Sequence, residues 1–184
     1  MLTRDEALAL VKSKVRDERY LKHMLAVEAI MRRLAERLGG DPELWGLVGL
    51  LHDIDFEGTK DDPSRHGLVA EEILKGLVPE EALRAIKAHN YEHTGVEPAS
   101  LMEKALIAAD AVSGLLVACA LVMPNKKLEE VTVKTVEKKF KSKDFARGVD
   151  RGRIERCKEL GLTREEFFEL SLEALKAVAS ELGL

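Results

Sequence analysis

Five histidines and a few isolated carboxylates are the residues here whose types and spacing could do chemistry: His23, the adjacent pair His52-Asp53, His66, His89, His93 and Asp110. His23 falls on the apolar side of a helical stretch, His52-Asp53 ends an almost wholly apolar run, and Asp110 is the one charge within residues 105–123. An ionised carboxylate inside an apolar bundle is costly unless it is paired or bound to a cation. One divalent metal ion would satisfy His23, His52, Asp53 and Asp110 together and leave coordination positions open for water or substrate. His66, His89 and His93 follow on neighbouring helices and are candidates for a second ion, with Asp53 bridging through its other oxygen. Mn, Fe, Co, Ni, Zn and Mg all suit such a nitrogen and oxygen donor set. One or two ions per chain are therefore expected.

The elements that must position these groups read as helices. Thr3 with Glu6, Ser100 with Glu103 and Thr163 with Glu166 have capping-box spacing. Asp41-Pro42 and Asp62-Pro63 each offer a cap followed by proline at the first helical position, and stop signals fall at Gly39-Gly40, Gly161 and Gly183. The periodicity predicts a helix over residues 20–38, with Met24, Val27, Ile30, Met31, Leu34 and Leu38 as its apolar face and His23 extending it. Residues 42–53 are apolar nearly all round and predict a buried central helix. A further helix should carry His66 in its first turn and pack through Val69, Ala70, Ile73 and Leu74. Pro79 opens another, on which Ala82, Ala85, Ile86 and His89 share a face; His93 follows by one turn if that helix continues. Residues 163–184 predict an amphipathic helix, and only Val131-Thr132-Val133 hints at a strand. The expected fold is all-α, one helical domain over residues 1–184. Its core spans about residues 20–123, with basic and amphipathic C-terminal helices over 124–184.

Composition narrows the functions available. With 184 residues and 46% apolar content the chain can bury a real core, while 4% aromatics force that core to be built from Leu, Val, Ile and Ala. Twenty-nine basic against 33 acidic residues give a net charge of −4. That balance argues against a general nucleic-acid binder. Cys119 and Cys157 lack metal-type spacing; Cys119 is expected in the core and Cys157 partly exposed. Residues 105–123 are long enough for a membrane span, but Asp110 near the centre would cost about 2.5–3.5 kcal/mol on insertion scales, so a buried core helix is expected. The acidic N-terminus does not look like a signal peptide, and a cytoplasmic location is the expectation. The chain has no Gln and only Asn90 and Asn125 as Asn, a depletion of thermolabile amides that suggests a thermophilic source.

The order His23, then Leu47-Val48-Gly49-Leu50-Leu51 ending in His52-Asp53, then a distant Asp110 within an apolar helix, resembles the signature of the HD superfamily of metal-dependent phosphohydrolases. The resemblance implies an HD-type helical bundle with additional C-terminal helices. It also implies that His23, His52, Asp53 and Asp110 ligate the first metal. Residues 64–71, with His66, look like the segment that supplies a further histidine in two-metal members, and residues 89–95 look like their paired-histidine segment. Asn90 stands where two-metal phosphodiesterases of the HD-GYP type have a second His, and no Gly-Tyr-Pro follows, so a complete second site rests on His93. Asp55 stands where the common variant has Gly. With residues 138–141 and 148–151, it makes the chain look like a subgroup of predicted HD hydrolases without an assigned substrate.

The chemistry so implied is hydrolysis of a nucleotide or another small phosphate ester by a metal-activated water. Asp53 would act at the metal, and one carboxylate of the loop Asp55, Glu57, Asp61 and Asp62, with Glu57 as first choice, would act as base or orient the water. That loop otherwise reads as solvated. Lys138, Lys139, Lys141, Arg147 and Arg151 are the candidates for a phosphate-binding wall. Two other readings stay open: a di-iron oxygenase of the same fold, and a non-catalytic, metal-stabilised module that binds a nucleotide.

Overall fold

All three capping boxes form: the hydroxyls of Thr3, Ser100 and Thr163 accept from the backbone N–H groups of Glu6, Glu103 and Glu166, whose carboxylates return to the cap amides. A computed structural model of the chain describes residues 1–184, and every regular element in it is helical. Helix α1 spans Arg4–Lys14, α2 Glu18–Leu38, α3 Pro42–Leu51, α4 Phe56–Thr59, α5 Leu68–Leu74 and α6 Glu80–Ala88. There follow α7 Tyr91–Thr94, α8 Leu101–Leu121, α9 Val133–Lys141, α10 Arg151–Glu155, α11 Arg164–Ala177 and α12 Ala179–Leu182. Gly39, Gly161 and Gly183 all take left-handed conformations as the helices before them end.

Helices α2, α3 and α8 form the centre, and one continuous apolar cluster runs from Ala7 to Leu182. Helices α2 and α3 approach closely because Gly49 has no side chain. A Cβ there would lie 2.9 Å from the Val27 carbonyl oxygen and from the Glu28 Cα, both backbone atoms that cannot step aside. Glu28, buried on the same side of α2, is clamped by Arg4 at 2.6 and 3.0 Å and by Arg32 at 3.1 Å, which ties α1 to the pair. By length and composition α8 could cross a membrane, but most of its apolar surface is covered by the surrounding helices.

Several local expectations change. His66 does not sit in the first turn of a helix; it follows the 3-10 turn Pro63–Arg65 and precedes Gly67, whose φ of 90° breaks the chain ahead of α5. The helix bearing His89 stops there, and Asn90 separates it from α7, so His93 is not one turn further along the same face. Val131 is buried and Thr132 caps α9, so the β-branched cluster is a helix start rather than a strand. The C-terminal amphipathic stretch breaks at Val178. Cys157 is fully buried rather than partly exposed, on the inner side of the 3-10 turn Arg156–Leu160 to which it belongs.

Candidate metal centre

His52 lies one residue past the end of α3, where the last carbonyls have lost their helical partners. Its Nδ1 donates to the Gly49 carbonyl at 2.7 Å, which turns Nε2 inward. His89 repeats the device one residue past α6, its Nδ1 donating to the Ile86 carbonyl. On α2, His23 Nδ1 lies 3.1 Å from the Ser113 hydroxyl, which itself donates to the Asp110 carbonyl of α8. His66 Nδ1 donates to Asp55 at 2.8 Å. Each of the four rings thus has an acceptor for a proton on Nδ1. In the neutral ring that leaves the Nε2 lone pair turned towards Asp53, the arrangement a metal-ligating imidazole requires.

Two carboxylates face these nitrogens. His23 Nε2 lies 2.9 Å from Asp110 Oδ1 and 3.5 Å from Asp53 Oδ2; His52 Nε2 lies 3.4 Å from Asp53 Oδ2 and 3.6 Å from Asp110 Oδ1. Donors about 2.1 Å from one ion stand about 3.0 Å apart in an octahedron and about 3.4 Å apart in a tetrahedron. The observed spacing therefore fits a single divalent cation. His52 Nε2 is fully buried with no hydrogen-bond partner, a cost that such an ion would remove. The other oxygen of Asp53 looks the opposite way, 3.2 Å from His66 Nε2 and 3.4 Å from His89 Nε2. The four donors of the first group and the three of the second each lie within 4.8 Å of one another.

The field of the site favours positive charge at its centre. Burial would raise the Asp53 carboxyl, but the charge of His52 and the close approach of the His66 and His89 rings outweigh it and hold Asp53 well below 3.8. Asp110 is lowered likewise against its burial, through His23 and His52. Burial would lower His66, yet Asp53 and Asp55 together raise it to about 9. His52 is also raised well above 6.5, with Asp53 overcoming burial. A protonated imidazole and a divalent ion are alternative occupants of the same negative field.

Asp55 is among the residues that sequence reasoning misplaced. Instead of lying in a solvated loop it is buried, and besides His66 it accepts from the backbone N–H groups of Gly67 and Ala70 at 2.8 and 3.0 Å. One carboxylate therefore orients an imidazole and satisfies amides at the start of α5. The only sequence signal was that Asp occupies a position where Gly is common. Asn90 is a second structural tie: its amide donates to the carbonyls of Pro63 and His66, and its oxygen lies 3.0 Å from His93 Nδ1. His93 itself is exposed and belongs to neither donor group.

Above the cluster is a cavity of about 370 Å³ lined by Tyr20, His23, Asp53, Phe56, His66, His89, Asn90, Asp110 and Arg153. Glu57 does not line it; its carboxylate accepts from the Arg16 backbone N–H at 2.7 Å. None of the expected phosphate-wall residues lines it either. Lys138 and Lys141 border a separate depression with Glu137 and Arg164, Lys139 covers the Phe145 ring, and Arg147 pairs with Asp144. Arg151 turns its guanidinium onto backbone carbonyls of residues 139–149, which ties the loop after α9 together. Arg153, which sequence reasoning passed over, is the cation that does reach the cavity.

A family model described as HD domain matches residues 20–115, just over half of the chain. Relatives named ribonuclease Y align with half of the chain: 36% identity over 93 residues for the protein of Clostridium botulinum strain Hall, 37% over 94 for that of Aliarcobacter butzleri and 33% over 95 for that of Chloroflexus aurantiacus. Each alignment covers 18% of the relative, so the chain corresponds to a small part of those proteins. No solved structure matches the chain. The matched segment begins in α2 and ends in α8 and contains every histidine and carboxylate of the two donor groups, and on that match the chain belongs to the HD domain family, a superfamily of metal-dependent phosphohydrolases.

Proposed function

We propose that this chain hydrolyses a phosphate ester of a nucleotide or a similarly small metabolite at a centre built on Asp53. The observation that carries the reading is the division of Asp53, with one oxygen among His23 and His52 and the other among His66 and His89. A carboxylate so divided is suited to share two ions. His23, His52 and Asp110 would complete the first site, and His66 and His89 would hold the second. When bound, the metal supplies a water nucleophilic at neutral pH and withdraws charge from phosphoryl oxygens.

The chain's own residues set the rest. Gly49 and Ile86 carbonyls hold His52 and His89 in one tautomer, so neither ring needs to reorient during a cycle. Tyr20 and Phe56, in edge contact at 5.2 Å, give the cavity an aromatic wall beside the donors, which suits the face of a base or sugar. The cavity size suits a ligand of that class.

A second reading, a phosphodiester within RNA, is favoured by the relatives named ribonuclease Y. The deciding experiment is turnover by metal-reconstituted protein on nucleoside monophosphates, cyclic nucleotides, sugar phosphates and short oligoribonucleotides. Hydrolysis of the monomeric substrates supports the first reading, and hydrolysis of the oligomers alone supports the second. If no phosphoryl substrate turns over, or if Asp53→Ala turns over as fast as the parent, both fail.

A further inference from the structure

Among the residues lining the cavity, Arg153 is the one Lys or Arg, and it comes from α10, beyond the segment that matches the HD family. Its guanidinium is held rather than free. Nη1 donates to the His89 carbonyl at 2.8 Å, the charged end lies 5.3 Å from the centre of the Tyr91 ring, and the side chain is only 16% exposed. The other two nitrogens have no such partner. Nη2 stands 3.6 Å from Glu92 and Nε 3.9 Å from Asp150, both beyond hydrogen-bond reach, and these carboxylates are themselves more than half exposed.

Charge makes the consequence specific. Asp53, Asp110 and Asp55 offset three of the four positive charges that two divalent ions would bring. An incoming phosphoryl dianion would then leave the centre with one uncompensated negative charge, which a fixed cation facing it would offset. A planar guanidinium anchored through Nη1, with its Nε–Nη2 edge free of hydrogen bonds and loosely paired with two exposed carboxylates, is shaped to donate to two phosphoryl oxygens.

Resting on the phosphohydrolase reading above, we propose that Arg153 is the phosphate clamp of this site, donating from Nε and Nη2 to non-bridging oxygens of the substrate. The basic residues of α9 and the following loop do not take that part. The hydrogen bond from Nη1 to the His89 carbonyl sets the clamp relative to the metal donors. The segment after residue 115 thus contributes a substrate-binding group that the HD core alone lacks.

The test uses the full chain loaded with manganese, as parent, Arg153→Lys and Arg153→Met. It reads metal content, affinity for inorganic phosphate, and kcat and KM on whichever phosphate ester the parent hydrolyses. Arg153→Met is expected to weaken phosphate binding roughly tenfold to a hundredfold, as for loss of charge-assisted hydrogen bonds, with metal content unchanged. Arg153→Lys, which keeps the charge but not the fork, should recover part of that loss. Phosphate affinity equal to the parent's in both variants overturns the clamp and leaves the hydrolase reading standing. Loss of metal together with phosphate also overturns it, because Arg153 would then act only through His89. A parent that neither binds phosphate nor hydrolyses any phosphate ester sinks the hydrolase reading and the clamp with it.

Discussion

The Nε2 atoms of His66 and His89 face each other at 2.9 Å while both Nδ1 atoms are engaged by oxygen acceptors. Two neutral rings so oriented would set lone pair against lone pair, so the contact requires a positive charge between them. A proton fills that role when His66 is raised to about 9, and a cation shared with Asp53 fills it better.

Divalent metal should therefore stabilise the protein. At a free concentration one hundred times the dissociation constant, one site adds about 2.7 kcal/mol. Manganese added to chelator-treated protein is expected to raise the thermal midpoint, and EDTA to reverse the rise. Identical melting curves with and without metal would count against the centre.

Asp55 should behave as a positioning residue. Its removal unlocks His66 and leaves the amides of Gly67 and Ala70 without an acceptor. Asp55→Ala is expected to lose about 1–3 kcal/mol of stability, and to weaken the more loosely held metal equivalent about 10- to 100-fold. Asp55→Asn, which keeps one acceptor oxygen, should fall between it and the parent. Glu57→Ala, whose carboxylate serves only the Arg16 amide, should stay within about 0.5 kcal/mol in stability and keep its metal. Denaturant unfolding and metal titration separate the two residues, and equal losses in both would refute the assignment.

Gly49→Ala probes the helix crossing directly. A methyl group against the backbone of Val27 and Glu28 should cost about 1–3 kcal/mol. Because His23 and His52 sit on the two helices being forced apart, metal affinity should fall as well. A variant with parental stability and metal affinity would show that the crossing has slack.

Acid should weaken the C-terminal packing. Hydrogen bonding to Arg164 lowers Glu137 below 4.5, and Lys158 followed by Arg164 lowers Glu155. Carboxylates with depressed folded values contribute stability that is complete above the unfolded value and lost as the pH falls through the folded ones. Arg164→Met should cost on the order of 1 kcal/mol near neutrality, and the gap to the parent should close as the pH falls below the usual carboxylate range. Urea unfolding across that range measures it; a gap that persists in acid would assign the cost to packing.

Much of the fold could be read from local chemistry. The three capping boxes, the Asp41 cap of α3 and the glycines that end α2 and α12 act over a few residues, and all form. His23, His52, Asp53 and Asp110 were legible because an apolar helix has few reasons to carry such groups. The rest depended on distance. Asp55 and His66 meet only because the loop between α4 and α5 folds back, and nothing in the residues between them encodes burial. The basic segment pointed the other way: its charge looked available, but Arg151 spends its donors on backbone carbonyls while the less conspicuous Arg153 turns into the cavity. Charge density along a chain does not say which face a side chain takes.

The carbonyls of Gly49 and Ile86 are backbone groups of α3 and α6, and the hydrogen bonds they accept orient the imidazoles of His52 and His89 through the chain itself rather than through an ion. Ring orientation would then not depend on metal acquisition. A centre so oriented would exchange one ion for another with its rings in place, and availability as much as affinity would decide which metal it takes.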